Sequence, residues 1–275
     1  YGMDLAPNDR WTVGLKAEQG TISDEASGDL DRVGVGVSAA YKYERTKLAT
    51  ALEYRDESGT SGDRDVWLMK SSAGYQIDPS WRLLGKFNFS VSESSGGEFF
   101  DADFTEAVVG AAFRPVKHDR LNALFKYTYF YTLPSPGQRT ASDLVPDYAQ
   151  NSHVLSIDGI YDLWPWLSVG AKYGMRFSEL KQTKTTGDWF SSTADLVILR
   201  ADLHLVREWD GLVEWRRLRA TEAEDVKMGF LVGLYRHLTD HVKVGVGYNF
   251  TDFSDDMTDL SYENRGWFVN VVSAF

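Results

Sequence analysis

The sequence predicts an all-β chain: one antiparallel sheet of about fourteen long strands, closed on itself and crossing a membrane. Three observations predict it. Apolar and polar residues alternate with period two through most of the 275 residues, the signature of strands with one apolar face. Most alternating runs reach eleven residues or more, against about five or six for a usual soluble strand and about nine to eleven for a tilted strand crossing a bilayer. The connections alternate short and long, as in a spanning barrel with tight turns on one side and loops on the other; a soluble sandwich has no reason to sort them so.

Taken in order, the strands fall near 10–20, 32–44, 46–57, 65–77, 80–93, 104–115, 120–132, 151–163, 165–178, 193–207, 210–220, 225–237, 240–252 and 264–275. Residues 1–9 are expected to be a periplasmic lead-in to one domain spanning 1–275. The short turns are Glu44-Arg-Thr46, Asp78-Pro-Ser80, Lys117-His-Asp119, Leu163-Trp-Pro165, Glu208-Trp-Asp210 and Leu238-Thr-Asp240. The longer connections are 21–31, 57–64, 93–103, 133–150, 179–192, 253–263 and the brief 221–224. A hairpin unit of about 35–40 residues recurs, opening on Trp11-Thr-Val-Gly-Leu-Lys16, Trp81-Arg-Leu-Leu-Gly-Lys-Phe87 and Trp166-Leu-Ser-Val-Gly-Ala-Lys-Tyr173. A β-propeller, the soluble competitor, needs four short strands per blade, and these strands are too long and too few. The last strand alternates Trp267, Val269 and Val271 and ends on Phe275, pairing back onto 10–20 to close the barrel. An even strand count puts both termini at the periplasmic end and every longer loop outside.

Strand parity separates two faces. Val33, Val35, Val37, Leu83, Phe87, Phe125, Leu199, Leu205, Val244 and Val246 fall on the lipid side; Trp11, Trp81, Trp166 and Trp267 fall at strand ends, where aromatic girdles belong. The opposite parity collects Lys16, Glu53, Lys86, Lys126, Asp158, Lys172, Arg176, Arg200, Asp202, His204, Glu214, Arg216 and Lys243 as lumen-lining charges. That parity is basic although the chain carries a net charge of -11, because the acids sit in the loops. A basic lumen favours anions. The alternative is that these Lys and Arg pair with Glu53, Glu106, Asp158, Asp202 and Glu214 and fill the bore.

The acidic balance excludes nucleic acid as a partner. There is no cysteine, hence no disulfide frame or thiolate metal site. The mean hydropathy of -0.33 is compatible with a spanning barrel, whose strands hide half their residues in a polar lumen. Tyr1-Gly-Met-Asp4 lacks the basic start and apolar core of a signal peptide, so a leader has been removed or belongs to a longer chain. No HxH or HExxH spacing occurs. The acidic run Asp252–Asp259 lacks the Gly and terminal Glu of a calcium loop. His204 with Asp202 and Ser156 makes no local motif for a hydrolytic triad. No catalytic residue, metal or cofactor is expected, and no enzymatic activity.

Over its whole length the chain resembles a Gram-negative outer-membrane β-barrel. Leu121–Gly137, Ser152–Lys172, Leu199–Glu214 and Val242–Phe275 look like the C-terminal barrels of large modular bacterial surface proteins, above all Val244-Gly-Val-Gly-Tyr-Asn-Phe-Thr-Asp-Phe-Ser-Asp-Asp-Met-Thr-Asp-Leu260. The resemblance implies that Phe275 serves as the signal read by the barrel assembly machinery. Its implied partners are outer-membrane lipid and lipopolysaccharide, and an upstream domain of the same polypeptide. Two functions follow as expectations. One is a porin-like channel for small anionic solutes, with Lys86, Lys126, Lys172, Arg176 and Arg200 setting selectivity. The other is a membrane anchor for a larger surface or secreted protein, with a blocked lumen.

Overall fold

The computed structural model describes residues 1–24, 28–59, 63–95, 102–133, 149–181, 187–206, 208–239, 241–253, 257 and 265–273. Among the described residues fifteen strands follow one another: β1 (Gly2–Asn8), β2 (Trp11–Asp24), β3 (Gly28–Tyr43), β4 (Thr46–Gly59), β5 (Arg64–Gln76), β6 (Trp81–Ser94), β7 (Ala102–Phe113) and β8 (Leu121–Leu133) form the first half. The second half is β9 (Ala149–Trp164), β10 (Leu167–Lys181), β11 (Phe190–Val206), β12 (Trp209–Ala220), β13 (Asp225–Thr239), β14 (Val242–Asn249) and β15 (Gly266–Ser273). They form one sheet in which spatial order is sequence order, and every ladder is antiparallel.

All fourteen expected strands are present. The fifteenth corrects the expectation for residues 1–9: Gly2–Asn8 is not a lead-in but a strand on the edge of β2. Met3 and Leu5 alternate with Gly2 and Asp4, and Asn8 Oδ1 accepts the N–H groups of Arg10 and Trp11 at 2.9 and 3.1 Å, turning the chain in two residues. Ala6-Pro7 interrupts the alternation, which hides the strand from a reading by period. A second correction concerns closure. The expected pairing of 264–275 with 10–20 is not made: β1 occupies that edge of β2, β15 pairs with β14, and β1 and β15 are the two ends of the strand order. Tyr1 lies opposite Ala17, roughly 20 Å along β2 from Trp11 at about 3.3 Å per residue.

The short turns are built as their residues dictate. Glu44 takes φ of 45° in the two-residue turn before β4, the left-handed geometry that such hairpins require. Asp78 Oδ1 accepts from Ser80 and Trp81 N–H at 2.7 and 2.9 Å before β6. At the opposite end the ladders run further than expected. The connection predicted over 21–31 is mostly strand, with Asp24 opposite Gly28.

One face of the sheet is apolar from edge to edge and exposed, carrying Val33, Val35, Val37, Leu83, Phe87, Phe125, Leu199 and Val246. Aromatic pairs bracket it. Near the short turns Trp11 meets Tyr41 at 4.8 Å between ring centroids, Trp81 meets Phe113 at 4.4 Å, and Trp164 stacks on Trp166 at 5.5 Å. Towards the other end Tyr54 meets Trp67 at 4.9 Å and Tyr248 meets Trp267 at 5.3 Å. The four predicted girdle tryptophans thus divide three to one between the two ends. Arg217 and Arg219 share this face, and Arg219 is held by Asp195 directly across the ladder at 2.6 Å.

Candidate functional site: the polar face and the strap across it

The registers carry all thirteen predicted lumen charges to the face opposite the apolar one. Period two makes this inevitable once each hairpin register is set. Most of these charges meet partners on the same face. Lys16 pairs with Glu18 at 2.8 Å and reaches Glu53 at 3.7 Å; Lys86 pairs with Glu106 at 2.7 Å. Arg200 grips Asp202 through two bonds of 2.8 Å, and Arg216 pairs with Glu214 two residues away. Asp158 stands directly opposite Lys172, with Lys126 opposite Ser156 one strand over. Asp202 is therefore the partner of Arg200, while His204 turns elsewhere.

His204 joins a cluster that the sequence reading missed. Asp210 accepts from His204 Nδ1 at 2.9 Å, His237 Nε2 at 2.8 Å and Lys243 Nζ at 2.8 Å. Four successive strands, β11 to β14, each supply one member. Parity finds His204 and Lys243, but Asp210 reads as a turn residue because the turn Glu208-Trp-Asp210 is one residue tighter than expected. A second missed cluster lies at the far end of β3 to β5. There Glu57, 1% exposed, accepts from Arg32 at 2.7 Å and from Arg64 Nε at 3.0 Å. Removing the carboxylate takes one ion pair from Arg64 and leaves Arg32 only the longer contact to Glu18 at 3.8 Å. The partial exposure of Arg32 and Arg64, 22% and 29%, puts the cost of Glu57→Ala at about 2–3 kcal/mol, below the usual figure for a buried pair; urea unfolding in bilayer vesicles measures it.

The polar face is not polar everywhere. Val154, Ala194, Leu196 and Ile198 form an apolar patch on it, backed by Leu218. The sequence does carry a sign of this: Leu196-Val-Ile-Leu199 is a continuous apolar run, which marks a strand covered on both faces. The cover is the chain after β14. At Asn249 it leaves the ladder and crosses the polar face from β13 towards β10. Thr251, 1% exposed, bonds Asn249 Oδ1 through its N–H at 3.0 Å. It lies so close over Gly229 that a Cβ there would come within 2.3 Å of it. Phe253 and Met257, 5% and 6% exposed, complete the apolar patch. Met257 Sδ would lie 2.7 Å from a Cβ on Gly174, and its carbonyl accepts from Arg176 Nη1 at 3.1 Å. The expected outer loop 253–263 thus begins as a strap on the polar face. Its acidic residues at 255, 256 and 259, like Phe275, lie outside the described residues.

At the same end, the β12–β13 turn is tied back to β11: Thr193 N–H donates to Glu222 at 2.6 Å, which holds that carboxyl below the usual range. Among the described residues no group of three or more His, Cys, Asp or Glu side chains is arranged to hold a metal.

A sequential antiparallel meander with an apolar outer face and aromatic borders is the fold of bacterial outer-membrane β-barrels. The crystal structure of the siderophore receptor PirA from Pseudomonas aeruginosa is similar, with a TM-score of 0.64 at 10% identity, covering 94% of this chain and 49% of that one. PirA from Acinetobacter baumannii gives 0.60 at 10% identity over 88% and 43% of the two chains. The alcaligin outer-membrane receptor FauA from Bordetella pertussis gives 0.55 at 11% identity over 97% and 49%. The chain spans about half the length of these receptors, and the likeness is one of fold. No family model matches the chain, and no curated protein matches it in sequence.

Proposed function

We propose that the chain is a membrane-anchoring β-barrel of the bacterial outer membrane whose interior is filled by its own side chains and by the strap. The observation that carries this reading is the burial of Phe253 and Met257 against the polar face, with Arg176 holding the strap's carbonyl. The apolar face then meets lipid and lipopolysaccharide, and the short turns face the periplasm. Backbone groups cannot stay unpaired in hydrocarbon, so the sheet closes on itself there. The barrel assembly machinery reads the C-terminal strand, and the cargo is an upstream domain of the same polypeptide.

The porin-like reading for anionic solutes loses much of its support. Lys86 and Arg200 are matched by Glu106 and Asp202, and Arg176 is spent on the strap. No catalytic role is proposed. In planar bilayers the purified protein is expected to stay silent over a wide voltage range. Stable, anion-selective single-channel openings would overturn the anchoring reading in favour of the channel.

A further inference from the structure

Along the apolar face of β12 the order is Val213, Trp215, Arg217 and Arg219, running from the short turns towards the β12–β13 turn. Val213 is exposed and belongs to the apolar band. This is the order of a leaflet boundary: hydrocarbon, then an aromatic where acyl chains meet headgroups, then cations at the level of the phosphates. The ladders place Trp215 between Leu199 and Phe230, and Arg217 between Val197 and Met228. Leu199, Phe230 and Met228 are exposed, so apolar surface flanks the two arginines.

The two guanidinium groups are held differently. Asp195, directly across the ladder, accepts Arg219 Nε and Nη2 on one oxygen at 2.6 Å. Asp195 lies beneath at 10% side-chain exposure and leaves Arg219 52% exposed. Arg217 is half-buried, and among the described residues no hydrogen bond or ion pair holds it. An unpartnered arginine on a lipid-facing surface either snorkels to water or meets an anion. Two guanidinium forks roughly 7 Å apart along a strand can take one phosphate between them, each through paired N–H donors.

Elsewhere the same rim repels an anion. On β4, β5 and β6 the residues beyond the Tyr54–Trp67 pair, on the same face, are Asp56, Asp65 and Glu93. They are directly opposed in one row and exposed. A negatively charged headgroup is turned away there and drawn to β12.

We propose that Arg217 and Arg219 bind a phosphate of the lipopolysaccharide headgroup, with its acyl chains laid along Trp215, Leu199 and Phe230. The proposal rests on the anchoring-barrel reading, in which the long-loop side faces outward and so meets the lipopolysaccharide leaflet. The same stretch of β11 carries the strap on its other face, through Ala194, Leu196 and Ile198. Lipid and strap thus clasp this part of the wall from both sides.

The purified chain in detergent micelles is titrated with lipid A, the phosphorylated, acylated part of lipopolysaccharide, and retained lipid is counted by native mass spectrometry. Dephosphorylated lipid A, phosphatidylglycerol and inorganic phosphate are the comparison ligands. Arg217→Gln is the main variant, since it takes a partner from no described residue. Arg236→Gln, at the short-turn end of β13, is the control. One retained lipid A is expected, weakened about ten- to a hundredfold by Arg217→Gln or by removal of the phosphates, with Arg236→Gln behaving as the parent. Undiminished retention by Arg217→Gln, or of dephosphorylated lipid A, overturns the proposal and leaves Arg217 a snorkelling side chain. Phosphatidylglycerol held as tightly as lipid A, or lipid A displaced by inorganic phosphate, overturns the assignment to lipopolysaccharide. Flotation with phosphatidylcholine vesicles is scored separately. Protein that floats but retains no lipid A loses this site alone, whereas protein that does not float loses the membrane reading beneath it.

Discussion

Phe253→Ala is expected to release the strap. Phe253 fills the patch made by Val154, Ala194, Leu196 and Ile198, with Met257 beside it. Truncating a buried phenylalanine costs about 3–5 kcal/mol in transfer and cavity terms. The strand ladders do not depend on that side chain, so the loss falls on strap docking and not on the sheet. A change of about 3 kcal/mol raises the population of the undocked strap roughly a hundredfold. Limited proteolysis of the vesicle-embedded protein reads this directly as faster cleavage between β14 and β15. Phe250→Ala is the control, because Phe250 is exposed and its removal should leave the cleavage rate unchanged. Equal protection in the two variants would show that the polar side, through Arg176 and Asn249, holds the strap without the apolar patch. Bilayer recordings give a second reading: if the strap is what fills the interior, Phe253→Ala should flicker open where the parent is silent.

The strap marks where a reading of the sequence runs out. Period two located fourteen strands, because each needs only its own alternation, and parity then sorted Lys16, Lys86, Arg200 and Lys243 onto one face. β1 escaped because Ala6-Pro7 cuts the pattern to a few residues. The strap escaped for a different reason. Its contacts join Thr251 to Gly229, Met257 to Gly174 and Phe253 to the cluster around Leu196, groups separated by tens of residues with no local signature at either end. Only the run Leu196–Leu199 hinted that the polar face was covered there. The Asp210 cluster shows the same limit: four strands each contribute one group, and only the registers bring the four together. Charge on a parity can be read from sequence, whereas its neutralisation across strands depends on register, as where the β6–β7 ladder brings Glu106 within 2.7 Å of Lys86.

Val35→Arg should cost about 2–4 kcal/mol in a bilayer, the range for a cation at the lipid-facing midplane of a barrel. Val35 sits mid-strand in β3, between Val33 and Val37, and all three are exposed. In water an exposed valine is replaced by arginine at little cost, so a large effect requires the surroundings to be lipid. Ala40→Arg tests the alternative on the same strand. Ala40 is exposed on the polar face, nearer the short turns, and arginine there should change stability little. Urea unfolding from phosphatidylcholine vesicles separates the two, and the difference between them is more informative than either value. A deficit for Val35→Arg alone identifies the valine face as the lipid face and fixes the orientation of every strand, because the registers tie all fifteen together. Equal, small costs would mean that neither face is in hydrocarbon. Equal, large costs would mean that the polar face is packed as far as Ala40, so that the filling of the interior extends beyond the strap to the short-turn end.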